Sequence, residues 1–467
     1  MIEGLKTYAE YKESGVPWLG KIPKSWDIKR GKYLFRFKKE LNSNALHTNV
    51  LSLTMRGVVN NNPDDPVGMV PNDYASYQLF RKNDLVFKLI DLENFKTSRV
   101  GLVHEDGIMS PAYIRLSLID GGDIRYFYHQ FFDLYLRGVF NQLGAGVRAT
   151  LGPNDLLDLG VVLPGFEEQT QIVRYLDTQD HRINRLIRDK RRLIELLNEQ
   201  KKAIIHHTVT CGLDPNAHLK SSGIDWLGEV PEHWQIPRLK QVSRILRGKF
   251  THRPRNDPVL YDGPYPFIQT GAVAQANKFI TSYKQTLNEK GLAVSKMFPR
   301  GTLVMTIAAN IGDVAILDLD ACFPDSVVGF VPKDEVDRDF LYYVLRNMKD
   351  EFLREAPVNT QGNLNIERIG AMYIPIAPLK EQIEIIVYIE KQTVYLNNAI
   401  DQARREIDLL REYRTRLISD VVTGKLDVRG VELPAMDEAE VLEDIEIREE
   451  TEAEEHIESK EVANADE

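Results

Sequence analysis

The sequence predicts an α+β protein with a pseudo-twofold internal repeat, in which two mixed α/β domains are separated by a long antiparallel two-helix coiled coil. Three observations support this prediction. One opening passage occurs twice, a pair of motifs at the start and end of a helix also recurs, and two long stretches between those motifs carry apolar residues at helical spacing. A chain that repeats its motifs in the same order is built from two halves of one plan.

The opening passage is KESGVPWLGKIPKSWDI over residues 12–28 and KSSGIDWLGEVPEHWQI over residues 220–236. Trp18 and Trp226 hold the same place in the two copies, at an offset of 208 residues (226 minus 18). All four tryptophans of the chain lie in these two copies. A passage that occurs once in each half belongs to the structure that the two halves share. We therefore expect the tryptophans to be structural anchors.

The second recurrence marks the two ends of each predicted helix. EEQTQIVRYL (167–176) corresponds to KEQIEIIVYI (380–389), at an offset of 213 residues (380 minus 167). TVTCGLD (208–214) corresponds to VVTGKLD (421–427) at the same offset. The stretch between the start motif and the end motif therefore has the same length in both halves.

Two long helices are predicted at about 166–208 and 379–421. Residues at alternating spacings of three and four form a mostly apolar stripe along each, with shared polar exceptions such as Lys201 and Arg414. Such a stripe is typical of a coiled-coil seam. About 42 residues at 1.5 Å per residue give a length of about 60 Å, more than one small domain covers. Two such helices pair most simply with each other, and the intervening domain returns the chain, which favours an antiparallel pair.

The segments at roughly 30–160 and 238–375 do not repeat by eye. Each contains short β-rich runs between turn signals and one helical run, IRYFYHQFFDLYLRGVF (124–140) or DFLYYVLRNM (339–348), predicted to pack on the sheet. The predicted strands are VLSLTMRGVV (50–59), DLVFKLI (84–90), SRVGLVH (98–104), AYIRLSL (112–118), PFIQTGAV (266–273), TLVMTIAA (302–309), DVAILDL (313–319) and SVVGFVP (326–332).

The net charge of −10 comes from the C-terminal end of the chain. Residues 433–467 hold 15 acidic and two basic residues, which leaves 54 acidic (69 minus 15) and 57 basic (59 minus 2) in the rest. This segment has the composition of a disordered acidic tail. A tail that mimics nucleic acid or docks on a basic partner is the alternative.

The predicted divisions are 1–165 and 211–376 for the two domains, 166–210 and 377–425 for the two helices, and 433–467 for the tail.

The motifs of common catalytic sites are absent from the sequence. GxxxxGK[ST], HExxH, GxSxG and paired CxxC do not occur, so ATP binding and metal catalysis have no support. Two distant cysteines, Cys211 and Cys322, predict neither a disulfide framework nor a zinc site. Without an apolar signal segment or membrane span, we expect a cytoplasmic protein that binds no membrane. Asp262-Gly-Pro-Tyr265 is similar to the acidic Pro-Pro-Tyr motif of adenine methyltransferases with one proline lost, but a flanking turn explains it better. Leu143-Gly-Ala-Gly-Val147 is similar to a cofactor glycine loop, but it follows a predicted helix and not a strand.

The non-repeating segments carry the polar groups that suit DNA recognition. RGKFTHRPRN (247–256) combines four cations with a Gly and a Pro, which suits phosphate contacts or recognition of guanine. Amide side chains such as Gln269 and Gln361 suit adenine edges. A solvated surface is the alternative for each residue taken singly. The candidate DNA-binding residues are Arg56, Lys88, Lys96, Arg99, Arg148, Arg247, Lys249, His252, Arg253, Arg255, Gln269, Thr270, Asn310, Gln361 and Asn363.

Taken together, these motifs resemble the specificity (S) subunit of type I restriction-modification systems. The resemblance rests on the paired openings SGVPWLGKIPKSW and SGIDWLGEVPEHW, on the helix starts LPGFEEQ and APLKEQ, and on the two helix ends. It covers about residues 10–430 and depends on the combination of motifs. The acidic tail departs from the family pattern. A second departure is that the segments before the two helices differ, GVRATLG in the first half and TQGNLNI in the second. The contacts made by these segments therefore cannot be assumed equal in the two halves.

The resemblance implies two target-recognition domains, each binding one half of a split, asymmetric double-stranded DNA site. It also implies that the helices set the gap between the halves and dock two methyltransferase subunits, with motor-nuclease subunits bound to that core. S-adenosylmethionine, ATP and Mg²⁺ would then belong to the partners, and this chain would bind no cofactor and have no activity of its own. A cryptic methyltransferase or nuclease fused to recognition domains is the alternative. The candidate partner-docking residues are Arg182, Arg185, Arg188, Arg191 and Arg192.

Overall fold

A computed structural model of the chain describes residues 5–43, 46–54, 57–61, 73–90, 92, 98–120, 122–144, 150–356 and 364–434. The described residues form two compact units. Unit 1 combines the chain up to Arg191 with the segment from Arg404 onward, and unit 2 runs from Arg192 to Ala403. Each unit therefore contains part of both long helices. Residues 435–467, nearly all of the predicted acidic tail, lie outside the described residues, and the linear domain boundaries stay a prediction.

Unit 1 consists of short strands, three short helices and its share of the two long helices, α4 (Phe166–Cys211) and α11 (Leu379–Val422). Its strands are β1 (Tyr11–Glu13), β2 (Lys21–Pro23), β3 (Asp27–Arg30), β4 (Phe35–Phe37), β5 (Leu51–Thr54), β6 (Gly57–Asn60), β7 (Gln78–Phe80), β8 (Leu85–Phe87), β9 (Val100–Leu102), β10 (Gly107–Met109), β11 (Ile114–Leu118) and β12 (Gly160–Leu163). Its short helices are α1 (Ile124–Leu136), α2 (Val139–Leu143) and α3 (Pro153–Asp158).

The main sheet of unit 1 has the strand order β4-β11-β8-β9, and all neighbouring strands are antiparallel. Helix α1 packs on this sheet through aromatic rings, since Phe127 and Phe131 lie 5.2 and 5.6 Å from Phe35 between ring centroids. Strand β12 pairs with β3 and thereby joins the start of α4 to the opening passage. The hairpin β5-β6 and the pair β10-β7 form the remainder of the domain.

Unit 2 repeats this plan with a different middle part. Its strands are β13 (Leu219–Ser221), β14 (Glu229–Pro231), β15 (Ser243–Arg247), β16 (Tyr261–Phe267), β17 (Phe279–Ile280), β18 (Gln285–Leu287), β19 (Met297–Phe298), β20 (Leu303–Thr306), β21 (Val314–Leu317), β22 (Ala321–Cys322) and β23 (Val327–Pro332). Its short helices are α5 (Leu239–Val242), α6 (Thr270–Gln275), α7 (Glu289–Ala293), α8 (Arg338–Asn347), α9 (Lys349–Glu355) and α10 (Ile366–Ala371).

The main sheet of unit 2 has the order β15-β23-β20-β21-β17, of which the first four strands are antiparallel as in unit 1. Helix α8 packs on it, with Phe340 and Val344 in the same buried cluster as Leu303 and Met305. A second sheet, β18-β16-β22-β19, lies in the segment that does not repeat in sequence. The frame of the two units is thus shared, and their middle parts differ.

The predicted long helices are confirmed, with bounds within about three residues of those expected from the sequence. In unit 1, Asp180 of α4 pairs with Arg414 of α11 at 3.1 Å, and Lys190 pairs with Glu406 at 2.5 Å. Because the partner number falls as the α4 number rises, these two stretches run in opposite directions. In unit 2, Lys201 of α4 donates to Asn397 of α11 at 2.6 Å. Asp180, Lys190 and Lys201, three polar positions of the stripe on α4, are therefore each paired with a residue of α11.

Three details of the predicted elements are wrong. The run predicted as one strand at 50–59 is divided between β5 and β6, which pair with each other in antiparallel fashion. The run predicted as a strand at 266–273 is a strand only to Phe267, and α6 begins at Thr270. The helix predicted over 124–140 divides into α1 and α2, because Gly138 has a φ of +67°, which a continuing helix does not allow. A glycine inside an apolar helical pattern is tolerated often enough that the sequence alone did not reveal the break.

The repeated tryptophan passage packs against the end of a long helix in each unit. In unit 1, Trp26 is fully buried, and a Cβ atom on Gly424 would lie 3.0 Å from its ring. In unit 2, Trp234 is buried, and a Cβ atom on Gly212 would lie 3.3 Å from its ring. Both glycines have a positive φ, as is usual where a chain leaves a helix. Trp26 thus packs the opening passage of unit 1 against the end of α11, and Trp234 packs that of unit 2 against the end of α4.

A buried glutamine near the start of α4 joins this helix to the domain of unit 1. The Gln169 side chain is 1% exposed. Its Oε1 accepts from the backbone N–H of Asp123 at 3.0 Å, and its Nε2 donates to the carbonyl oxygen of Pro164 at 2.9 Å. Because Asp123 is the N-cap of α1, one amide group fixes the start of the domain helix against the start of the long helix.

Gln382 holds the equivalent place in unit 2 and is fully buried. Its Oε1 accepts from the backbone N–H of Asp337, the N-cap of α8, at 2.8 Å. Its Nε2 donates to the carbonyl oxygens of Ala377 at 2.7 Å and Glu335 at 3.0 Å. The two glutamines are 213 residues apart (382 minus 169), so the same joint occurs in both units.

An ion pair further along each long helix supports the same joint. Asp177 of α4 pairs with Arg125 of α1 at 2.6 Å. At the equivalent place on α11, Glu390 pairs at 2.6 Å with Lys278, which also pairs with Asp339 of α8 at 3.2 Å. Burial disfavours the charge of Lys278, but hydrogen bonds and charges from these two carboxylates and Tyr343 raise its pKa above the ordinary value. Lys278 therefore stays charged between the domain and the helix.

The glutamine joint predicts a measurable loss of stability. Replacing Gln169 by Ala leaves the N–H of Asp123 and the carbonyl of Pro164 without this partner inside the fold, and each such group costs about 1–3 kcal/mol. We expect thermal unfolding of the full chain, followed by circular dichroism, to begin several degrees lower. Gln200→Ala, at an exposed position of the same helix, is the matched control. Equal melting curves for the two variants would contradict a structural role of the joint.

Candidate nucleic-acid interface

The loop between β15 and β16 in unit 2 carries three of the cations proposed to contact DNA, Lys249, Arg253 and Arg255, and Arg247 lies just before it at the end of β15. The loop starts with Gly248, where an added Cβ atom would lie only 2.0 Å from the carbonyl oxygen of Pro324. The next backbone N–H, of Lys249, donates to the carbonyl of Phe323 at 3.1 Å. Glycine is needed because the loop crosses directly against the segment after β22. The side chains of Arg247 and Lys249 are exposed on either side of this crossing.

Asp325 holds two arginines of this loop. Its carboxylate lies 2.5 Å from the guanidinium of Arg255 and 3.6 Å from that of Arg253. Arg253 also donates from Nη1 to the carbonyl oxygens of Phe250 and His252, both at 2.8 Å. Both arginine side chains are about half exposed. Exposed ion pairs of this kind contribute little to stability, but they hold the guanidinium groups in fixed places facing solvent.

His252 differs from its neighbours in the loop. Its Nε2 lies 3.0 Å from a carboxylate oxygen of Asp257, and the residue is half-buried. Asp257 in turn accepts from the backbone N–H of Val259 at 3.1 Å and caps a short helical turn. The contact gives His252 a role inside the loop, which the prediction of a DNA contact did not include.

A cavity of about 380 Å³ opens beside this loop. Three aromatic rings form one part of its wall, with Phe250 and Phe267 almost completely buried and Tyr261 half-buried. Polar side chains form the other part. The polar residues lining the cavity are Arg255, Asn256, Gln269, Thr270, Gln285 and Ser326. Arg255 is thus brought together with Gln269 and Thr270, two adjacent candidates from a separate segment of the sequence.

Gln285 is a residue of this site that the sequence did not indicate. Strand β18 pairs with β16 so that Gln285 lies opposite Phe267, two residues before Gln269. The Nε2 of Gln269 donates to the Oε1 of Gln285 at 2.6 Å, and both side chains are exposed. A lone glutamine in a polar stretch carries no signal of its own. Only the strand pairing reveals that it lies beside Gln269.

Asn310 lies apart from this cavity. It is exposed at the turn between β20 and β21, where its carbonyl oxygen accepts from the Thr306 hydroxyl. Five further candidates lie outside the described residues, and these are Arg56, Lys96, Arg148, Gln361 and Asn363.

Arg99 requires a correction. Its side chain is 1% exposed, and its guanidinium donates to the carbonyl oxygens of Ile90 at 3.2 Å and Lys88 at 3.5 Å inside unit 1. A guanidinium enclosed in this way does not reach a DNA phosphate or base edge, so the prediction of a DNA contact at Arg99 is wrong. Lys88, on the neighbouring strand, is partly exposed. The sequence did not distinguish these two cations, because both lie next to apolar strand residues.

Asp262-Gly-Pro-Tyr265, the segment similar to a methyltransferase motif, lies within strand β16. A Cβ atom on Gly263 would lie 2.3 Å from the Cα of Asn288, so the strand is packed closely against the next segment. The hydroxyl of Tyr265 donates to Glu289 at 2.5 Å, and this hydrogen bond raises the pKa of the tyrosine. The motif thus belongs to the second sheet of unit 2, where Asp262 has a φ of +61° and Tyr261 and Tyr265 both lie opposite Leu287. This local break in the strand agrees with the turn-forming residues Gly263 and Pro264.

Within the described residues, no group of three or more His, Cys, Asp and Glu side chains is arranged to hold a metal ion. No helix in the described part of the chain is long and apolar enough to cross a membrane.

The arginines proposed for partner docking lie on α4. Arg182, Arg185 and Arg192 are exposed, and Arg192 pairs with Glu195 of the same helix at 2.7 Å. Arg188 and Arg191 are partly buried. The sequence missed a second feature of the long helices, which is a set of apolar side chains exposed to solvent. They are Leu186, Leu193 and Leu196 on α4, and Ile383, Val387, Val394, Tyr395 and Leu409 on α11.

Part of the chain is similar to a known protein family. Residues 231–406, most of unit 2, match the family model of the type I restriction modification DNA specificity domain. The resemblance to type I specificity subunits is confirmed.

Two relatives from Methanocaldococcus jannaschii are 26% identical to this chain. The putative type I restriction enzyme MjaX specificity subunit aligns over 60% of this chain and 63% of its own length, and the type I restriction enzyme MjaVIII specificity subunit over 59% and 64%. The chain therefore spans somewhat less than two-thirds of the length of the relatives it matches.

A solved structure extends the similarity of fold. It is described as the structural basis underlying complex assembly and conformational transition of the type I R-M system. The similarity has a TM-score of 0.65 at 16% identity and covers 87% of this chain and 99% of the other.

Lys249 provides the simplest test of a phosphate contact. Its side chain is exposed, and Lys249→Ala removes one cation without disturbing the crossing at Gly248. We expect DNA binding to weaken by a similar factor for every sequence, and the slope of log K against log salt to become shallower by about 0.9. Titration of labelled duplexes at several salt concentrations measures both. Lys333→Ala, at an exposed position of the same unit outside the loop, is the control. A loss confined to one base position would instead assign Lys249 to base recognition.

Proposed function

We propose that this chain is the sequence-specific DNA-recognition subunit of a type I restriction-modification complex. Each unit would contribute one target-recognition domain, and each domain would bind one half of a bipartite, asymmetric DNA site. The observation that carries the proposal is that the two units share one frame but differ in their middle parts. The shared frame includes equivalent hydrogen bonds of Gln169 and Gln382. Two domains mounted in the same way with different surfaces suit two different half-sites. The exposed cations of residues 247–255 suit a polyanionic partner.

The long helices would set the distance between the half-sites. The ion pairs of Asp180 with Arg414 and Lys190 with Glu406 in unit 1, and the Lys201–Asn397 hydrogen bond in unit 2, support an antiparallel coiled coil that serves as a spacer. Paired polar residues in an apolar seam favour one register, because a shift along the helices would leave them unpaired. A spacer with one register gives a half-site gap of fixed length.

The exposed faces of the long helices would dock two methyltransferase subunits, and motor-nuclease subunits would bind the resulting core. Val387 and Val394 lie seven residues apart on α11 and are 61% and 54% exposed, which is unusual for apolar side chains on a helix that faces only water. The arginines of α4 would add charged contacts at the edge. Catalysis, and the binding of S-adenosylmethionine, ATP and Mg²⁺, would belong to those partners.

Exchange of one domain tests the assignment of half-sites. Replacing residues 31–160 by the same segment of a relative should change the bases required in one half of the methylated motif and leave the other half unchanged. The reciprocal exchange of residues 238–375 is the matched control and should change only the other half. Sequencing of methylated bases in cells that carry each chimera gives the result. A change in both halves after a single exchange would refute the assignment.

Lengthening the spacer tests the role of the helices. Inserting seven residues between Arg191 and Arg192 and seven between Ala403 and Arg404 keeps the seam in phase and adds about 10 Å at 1.5 Å per residue. We expect the gap between half-sites to grow by about 3 bp, since DNA rises about 3.4 Å per base pair. Insertion into α4 alone breaks the pairing and should abolish the complex. An unchanged gap in the double insertion would show that the helices do not set the spacing.

A further inference from the structure

The cavity beside residues 247–256 is built on a rigid aromatic base. The rings of Phe250 and Phe267 lie 5.1 Å apart between centroids, and Tyr261 lies 6.3 Å from each of them. The hydroxyl of Tyr261 donates to the carbonyl oxygen of Arg255, which ties the loop to this cluster. Because Phe250 and Phe267 are 2% and 4% exposed, they hold the backbone at the end of β16 in place. The polar residues at the rim are therefore presented from a fixed support.

The amide groups of Gln269 and Gln285 are joined at this rim by one hydrogen bond. When two amides are joined in this way, the carbonyl oxygen of the donating side chain and the NH₂ group of the accepting side chain can still bind another partner. The same set remains if both amides are turned over, because either group then takes the other role. The joined pair thus offers one acceptor and one donor as a single unit. The hydrogen bond also limits the freedom of two exposed side chains, which lowers the cost of ordering them when they bind.

This pattern matches one base edge in the major groove. Adenine presents the N6 amino group as a donor and N7 as an acceptor, so it uses both groups of the pair. Guanine presents two acceptors, cytosine one donor, and thymine one acceptor with a methyl group. Among the edges of single bases, adenine alone satisfies the carbonyl oxygen and the NH₂ group together.

The surroundings of the pair suit an approach by duplex DNA. Lys249, Arg253 and Arg255 lie on the adjoining loop and Arg247 ends β15, and all four are exposed. Asp257 and Asp325 place two carboxylates beside these four cations. We propose that Gln269 and Gln285 act together as an adenine-specific contact of unit 2, with the cations of this loop on the flanking phosphates. This inference rests on the proposed function and extends it from a domain that recognises a half-site to one base position and the two residues that determine it.

Gln285→Glu tests the inference without removing the contact. The carboxylate still accepts from Gln269, but the pair then offers two acceptors and no donor for N7 of adenine. We expect the preference for adenine at one position of one half-site to fall by about 10-fold or more, and cytosine, whose N4 amino group is a donor, to replace it. Gln269→Glu should have the same effect at the same position. Gln235→Glu, which adds the same charge at an exposed position of unit 2 outside the cavity, should leave the motif unchanged.

The readout is sequencing of duplexes bound from a pool with a randomised core, using the full chain together with co-expressed methyltransferase subunits. A change confined to one base position supports the inference. An unchanged motif in Gln285→Glu, or a uniform loss of binding at all positions, overturns it while the bipartite motif of the unaltered chain still supports the proposed function. If the unaltered chain selects no motif at all, the proposed function fails and this inference fails with it.

Discussion

The structure depends on the joint that a buried glutamine forms between each domain and its long helix. Gln169 and Gln382 each bind the N-cap backbone of a domain helix and a carbonyl just before the long helix. Both glutamines are 1% or less exposed, so water does not replace a hydrogen bond that is broken there. A rotation of the domain on its helix would break these bonds, and this cost favours one orientation of the domain. A domain that recognises DNA from the end of a spacer needs such a joint, because rotation of the domain about the helix would change which bases it reaches.

The two joints are equivalent but not identical around the glutamines. In unit 2, Glu381 accepts from the indole N–H of Trp234 at 3.1 Å and lies 2.9 Å from His233. In unit 1, the equivalent Glu168 accepts instead from the hydroxyl of Tyr8 at 2.6 Å. Burial and this hydrogen bond raise the pKa of Tyr8 far above the ordinary value, so the hydroxyl remains a donor at every physiological pH. The same carboxylate position thus contacts the opening passage itself in unit 2 and Tyr8, four residues before the opening passage, in unit 1.

The sequence predicted the frame well because the frame is repetitive. Offsets of 208 and 213 residues located the tryptophan passages and both long helices, and the helix bounds were correct within about three residues. The candidate interface was less predictable, since its residues come from separate segments brought together by strand pairing. Arg99 and Lys88 are both cations beside apolar strands, yet one is enclosed and the other partly exposed. Gln285 became visible only through its position opposite Phe267.

The central claim of this account is that one chain determines a split DNA sequence with a fixed gap. The most direct measurement is sequencing of methylated bases in the host genome, with and without the gene for this chain. We expect one asymmetric motif of two half-sites, separated by a constant number of unspecified bases, that loses its methylation when the gene is deleted. A continuous motif, a variable gap, or methylation that persists after deletion would contradict the account.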